Sequence, residues 1–237
     1  MAIGKDVLEL QKKISYEFAD VSYLDVALTH SSYTNEMRTR GIKAESNERL
    51  EFLGDAVLEL VISEYLYSNF SKYREGALTK LRQSLVCEKT LAKIASIIGI
   101  GEYVNLGNGE EGADCRIRPK ILADCFEALI GAIYLDSTMR GSDDYKRVII
   151  NLFGSELNSA NFINTDYKTR LQQLAEQDGS SLLEYRVINE EGPEHKKLFT
   201  VACLVNNNEV GRGQATNKKA AEMLAAKMAL ELFGVVI

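Results

Sequence analysis

Five carboxylates in this 237-residue chain carry spacings that do chemistry. Glu48, Glu51 and Asp55 fall at i, i+3 and i+7 in NERLEFLGD, which on a helix places all three on one face. The residues that follow, AVLELVISEYLY, are mostly apolar. A second stretch, ILADCFEALIGAIYL (121–135), has only Asp124 and Glu127 as charges, again three residues apart. Burying an ionised carboxylate is costly unless a partner compensates it. If these two helices pack together, Glu51, Asp55, Asp124 and Glu127 converge around a divalent cation. An all-oxygen donor set favours Mg²⁺ or Mn²⁺ over zinc. A di-iron carboxylate bundle needs paired Glu-x-x-His motifs, and neither His30 nor His195 follows a glutamate by three residues. A plainer reading stays open beside the metal site. Acids in a first turn complement the helix dipole, with Ser46 as N-cap. That reading covers Glu48 and in part Glu51, but neither Asp55 nor the pair inside the second helix. Glu59, one turn beyond Asp55, reads as structural.

The elements that would position these acids are helices. LDVALTHSSY, RLEFLGDAVLELVISEYLY, ALTKLRQSLVCEKTLAKIASIIGI and ILADCFEALIGAIYLD carry helical apolar spacing. NLGNGEEGADCRIRPK (105–120), rich in glycine and charge, reads as a loop between them. The pattern breaks near residue 158. Beyond it come a short helix (KTRLQQLAEQ), strand-like LLEYRVIN and KLFTVACLV, a turn at Asn206–Asn208, a third strand (EVGRGQA) and a closing helix. Apolar periodicity assigns the buried stripe of that last helix to Ala221, Leu224, Ala225, Met228 and Leu232. The order is α-β-β-β-α. The domain boundaries drawn from this are 1–157, a linker at 158–165, and 166–235.

Composition narrows the class. With two prolines and 46% apolar residues the chain is globular. It has no apolar run long enough for a membrane span, and MAIGKDVLELQKK has no signal-peptide core, so a cytoplasmic location is expected. The four cysteines show no zinc spacing and are expected to be reduced. Residues 1–160 hold 19 basic against 24 acidic side chains, and 161–237 hold 9 against 10, giving net charges of −5 and −1. Any nucleic-acid contact must therefore come from local clusters. Two clusters qualify: GPEHKK (192–197) between strands, and NKKAAE (217–222), whose Lys218 and Lys219 sit in a first turn that already attracts phosphate. Taken alone, a lysine pair is most often a solvated surface.

NERLEFLGDAVLEL closely resembles the signature of the ribonuclease III family of double-stranded-RNA endonucleases. ALTHSSYTNE (27–36), ILADCFEALIGAIYLD and the C-terminal part resemble further family segments in the same order. The resemblance implies a mainly α, all-helical endonuclease domain followed by an α+β double-stranded-RNA-binding domain. It implies Glu51, Asp55, Asp124 and Glu127 as metal ligands, Asp55 and Glu127 as catalytic residues, and a dimer or substrate role for Glu48. His30 matches a family residue, with a packing or hydrogen-bonding task expected. Mg²⁺ is the implied cofactor, with Mn²⁺ able to substitute, and no small-molecule cofactor is expected. The implied products carry 5′-phosphate and 3′-hydroxyl ends with two-nucleotide 3′ overhangs, cut by a homodimer. Processing of ribosomal, messenger and transfer RNA precursors is the implied role. In the second domain, Gln172 and His195 would meet the RNA minor groove, and Lys218 and Lys219 the phosphates, over about 16 base pairs.

Three positions depart from the family pattern. Gln173 replaces a usual glutamate, while Ala215 and Asn217 replace the Gly and Ser of G-x-S-K-K. Asn217 suits an N-cap, but Ala215 fits only if that position has no need of a glycine conformation. The alternative function is a double-stranded-RNA-binding regulator that does not cut. The acid quartet argues against it, because a binder has no use for negative charge where phosphate must lie.

Overall fold

A computed structural model describes residues 7–71, 73–111, 114–158, 160–177, 182–193 and 197–235, with backbone alone over 160–166. The chain divides into two compact units, Met1–Glu156 and Leu157–Ile237. The described part of the first unit is helical: α1 (Val7–Ile14), α2 (Val21–Ala27), α3 (Ser31–Thr39), α4 (Glu48–Asn69), α5 (Glu75–Leu85), α6 (Glu88–Ile98), α7 (Pro119–Met139), α8 (Asp144–Leu152) and the short α9 (Gly154–Leu157), which reaches the boundary. No helix is long and apolar enough to cross a membrane among the described residues.

α7 is the spine of this unit. Pro119 opens it at a position where a missing N–H costs nothing, and Ile121, Phe126, Leu129, Ile130 and Ile133 are buried around its circumference. That explains a sequence apolar on nearly every face. α4 lies against it, and its buried residues are Leu50, Gly54, Val57, Leu58, Val61, Ile62 and Leu66. The two helices meet backbone to backbone at glycines. A Cβ on Gly54 would fall 1.8 Å from the Glu127 carbonyl oxygen, and one on Gly131 would fall 2.3 Å from the Leu50 carbonyl oxygen. Any side chain at either position would force the helices apart.

The far end of α7 shows how this fold treats an acid that is purely structural. Asp136 is 2% exposed and fully partnered. Its Oδ2 accepts from the Tyr16 hydroxyl at 2.7 Å and the Ala19 amide at 3.2 Å, its Oδ1 from the Asp20 amide at 2.8 Å, and Arg140 lies 3.1 Å away. Burial, with Asp136 alongside, pushes the Tyr16 phenol up to about 12. Asp136 thereby ties the segment before α2 to the spine.

In the second unit α10 (Ala160–Gln177) precedes an antiparallel sheet of order β1-β2-β3 (Leu183–Glu191, Leu198–Val205, Asn208–Ala215), closed by α11 (Lys218–Leu232). The order is the one read from the sequence, and residues 160–165 form the start of α10. Val205 pairs with Asn208, and Asn206 and Asn207 between them have φ of 50° and 65°. Positive φ at both central positions is the two-residue hairpin turn that asparagine favours.

The buried stripe of α11 differs from its periodicity. Ala221, Ala225, Ala226, Ala229 and Leu230 are buried, whereas Leu224, Met228 and Leu232 are 45%, 52% and 67% exposed. The reason lies on β3. A Cβ on Gly211 would meet the Ala225 carbonyl oxygen at 2.3 Å, and one on Gly213 the Ala221 carbonyl oxygen at 2.1 Å. So close a helix–strand approach admits alanine and excludes leucine. Tyr167, Leu171, Val201 and Cys203 complete this core.

Candidate functional site

The Gly54–Gly131 crossing lays one turn of α4 against one turn of α7, and the acids flank it. Glu51 is one turn before Gly54 and Asp55 is its neighbour; Glu127 is one turn before Gly131, and Asp124 one turn earlier. A carboxylate oxygen from each of Glu51, Asp124 and Glu127 lies within 4.8 Å of the other two. Donors bound to Mg²⁺ at 2.0–2.1 Å sit at most about 4.2 Å apart, so small side-chain rotations bring these three onto one ion. Around them opens a cavity of about 500 Å³, also lined by His30, Glu48, Phe52, Asp55 and Lys120. Of the expected quartet, three members form the tight cluster. Asp55 is exposed on the cavity wall, and Glu48 is exposed beside it.

Burial and mutual repulsion leave this cluster frustrated. Half-buried Glu127 is pushed up to about 7, first by burial and then by Asp55, Glu51 and Asp124. Glu51 is raised for the same reasons, burial first and Asp124 second. Among the described residues no hydrogen bond or ion pair reaches Glu127, in contrast to Asp136 on the same helix. Among the described residues that line the cavity the one lysine or arginine is Lys120, whose Nζ lies 3.1 Å from Asp124 Oδ2 and whose own proton is held more tightly by that contact. A cluster of acids short of positive charge, open to solvent and without nitrogen or sulfur donors, fits a hard divalent cation.

Two supporting residues escape a reading of acid spacing. Lys120 stands four residues before Asp124, a helical ion-pair spacing that was legible. Asn47 was not. It is 2% exposed, its N–H donates to the Thr29 carbonyl at 2.8 Å, and its Nδ2 reaches Cys125 Sγ at 3.4 Å. It therefore pins the start of α4 both to the end of α2 and to α7. Asn47, not Ser46, occupies the N-cap position, without a side-chain cap bond; the Ser46 hydroxyl donates to Glu48 Oε2 at 2.8 Å. The cap expected of Ser46 is absent because the helix starts at Glu48, which puts Ser46 one residue before the N-cap position. His30 caps α3, accepting from the Ser32 amide at 3.2 Å through Nδ1.

The second unit presents two lysines, Lys218 and Lys219, at the start of α11. Asn217 caps the helix, its Oδ1 accepting from the Ala220 amide at 2.8 Å, as its residue type predicts. Ala215 ends β3 paired with Phe199 and is not among the residues of positive φ, so the conformation there is open to alanine. Lys218, Lys219 and Gln172 are all exposed, Gln172 donating to Glu176 at 3.1 Å. His195 lies outside the described residues.

Residues 20–153 match the Ribonuclease-III-like family and residues 167–232 the Double-stranded RNA binding motif. Over 224 residues the chain is 48% identical to Ribonuclease 3 of Geobacillus thermodenitrificans, covering 94% of this chain and 89% of that one. Over 223 residues it is 43% identical to Ribonuclease 3 of Listeria welshimeri, covering 94% and 95%. The nuclease domain of ribonuclease III from Campylobacter jejuni superposes with a TM-score of 0.57 at 40% identity, over 66% of this chain and 99% of that one. A second structure of that domain, at TM-score 0.55 and 41% identity over 62% and 95%, concerns structural flexibility in a region involved in dimer formation. Fold and matches together define an endoribonuclease joined to a double-stranded-RNA-binding module. The chain belongs to the ribonuclease III family.

Proposed function

We propose that this endoribonuclease hydrolyses double-stranded RNA with Mg²⁺, Mn²⁺ substituting, to leave 5′-phosphate and 3′-hydroxyl ends and two-nucleotide 3′ overhangs. The observation that carries the reading is the triad of Glu51, Asp124 and Glu127 at the glycine crossing, three carboxylates with Lys120 as their one ion-pair partner among the described residues. A divalent ion bound there supplies charge neutralisation at the scissile phosphate and a water nucleophile near neutral pH. Glu51, Asp124 and Glu127 hold it. Asp55, exposed beside Glu127, acts with it on the reacting phosphate, and Lys120 steadies the Asp124 carboxylate. Glu48 at the cavity edge faces substrate or a second subunit.

The two-nucleotide stagger requires two sites acting on opposite strands, and so a homodimer. The neighbouring face of α4 supports this. Phe52, Leu60 and Tyr67 are 80%, 62% and 77% exposed and fall on one helical stripe. Gln172, His195, Lys218 and Lys219 carry the RNA-binding role, reading A-form shape and not base sequence. Domain limits of 1–157 and 166–235 serve this division of labour. Precursors of ribosomal RNA, structured messages and transfer RNA in the cytoplasm are the substrates we assign.

The test is product analysis. Both strands of a labelled duplex are cut with Mg²⁺ and their ends mapped. Paired cuts offset by two nucleotides, with 5′ ends that ligate without prior phosphorylation, support the assignment. Blunt ends or 5′-hydroxyl ends refute it.

A further inference from the structure

Glu190 lies opposite Phe199 in the β1–β2 register, and Phe199 lies opposite Ala215 in the β2–β3 register. Lys218 follows Ala215 by three residues and opens α11. A row across the sheet thus brings one carboxylate against two cations. Glu190 Oε2 is 2.6 Å from Lys197 Nζ, and its Oε1 is 3.0 Å from Lys218 Nζ. Both ammonium groups also lie over the Phe199 ring, 5.7 Å and 5.2 Å from its centroid. The two lysines hold Glu190 below the usual carboxylate range. No ion pair reaches Lys219 among the described residues.

We propose that Glu190 is an internal competitor for phosphate, occupying Lys197 and Lys218 in the RNA-free protein and limiting the affinity of this module for duplex RNA. The proposal rests on the reading of Lys218 as a phosphate contact. A carboxylate and a phosphate offer an ammonium the same kind of oxygen acceptor, so Lys218 cannot serve both without bringing two anions together. Glu190 cannot leave, because its backbone is fixed by the strand pairing with Phe199. Its side chain must swing aside or face the phosphate. The contact can open, since the three side chains are 32–54% exposed and surface pairs are weak. With Glu190 the group of three carries a net +1; without it, +2. In a half of the chain whose net charge is −1, one unit of charge at the contact matters.

The test uses the full chain with EDTA present, so that duplexes longer than about 16 base pairs are bound and not cut. Kd is measured across a salt series for wild type, Glu190→Gln, Lys218→Ala and the double variant. Glu190→Gln should tighten binding several-fold at low salt and steepen the log Kd–log salt slope by up to about one. The gain should shrink in the Lys218→Ala background to what Lys197 alone supplies. Unchanged or weaker binding by Glu190→Gln, with a wild-type unfolding temperature, would overturn the proposal and make Glu190 a residue that orients the lysines. A gain of equal size with and without Lys218 would overturn it as well. If Lys218→Ala alone changes neither affinity nor slope, the RNA contact at Lys218 is what has failed.

Discussion

Two acids on one helix show how residue environment separates structure from chemistry. Asp136 is buried and met by amides, a phenol and a guanidinium; Glu127 is half-buried and met by other carboxylates. Sequence spacing flagged the second and was silent on the first, because partners such as Tyr16 lie more than a hundred positions away. The pH consequences follow from the sign of the Glu127 shift. Its folded pKa, about 7, stands above the ordinary 4.5, so between those values the metal-free folded state keeps a proton that the unfolded chain has released. Stability of the metal-free protein should therefore fall as pH rises through that window, and Glu127→Gln should flatten the fall in thermal unfolding with EDTA. Protons compete with the ion at the same oxygens. Mg²⁺ affinity, followed by titration calorimetry, should climb until about pH 7 and then level off. A flat profile would place the ion elsewhere.

At the scale of elements, glycine and alanine decide what hydrophobicity does not. The helical half and the α-β-β-β-α order were legible because apolar periodicity changes from helical to alternating within the chain. The stripe of α11 was misassigned because periodicity weighs apolar size, and Leu224 and Met228 outweigh the alanines. The contrary signal was in the glycines of GRG on β3, which demand small residues opposite. The same physics sets the acids in place, since Gly54 and Gly131 let α4 and α7 touch. Gly54→Ala should cost about 1–3 kcal/mol or more in denaturant unfolding, as overpacked sites do, and should weaken Mg²⁺ binding, because separating the helices spreads Glu51 from Glu127. Loss of stability with unchanged metal affinity would mean the crossing supports the fold and not the site. Asn217→Ala should cost about 1 kcal/mol through the lost cap.

On the scale of the whole molecule, the proposed function divides between the two units: the first gathers the acids we assign to an ion, and the second exposes the lysines we assign to phosphate. We assign the exposed Phe52, Leu60 and Tyr67 as the surface through which two copies of the proposed homodimer would join. Leu60→Glu should shift sedimentation from dimer to monomer and abolish staggered double cuts; a wild-type sedimentation profile would place the interface on another face. No spacing in the sequence revealed this stripe, since its residues are those a buried helix also uses, and only their exposure distinguishes them. The most direct measurement of the central claim compares wild type with Glu127→Gln on an end-labelled RNA duplex, reading cleavage with Mg²⁺ and binding with EDTA. The variant should bind like wild type and lose cleavage. Cleavage at the wild-type rate would contradict the central claim, and would remove the acid cluster of α4 and α7 from the chemistry.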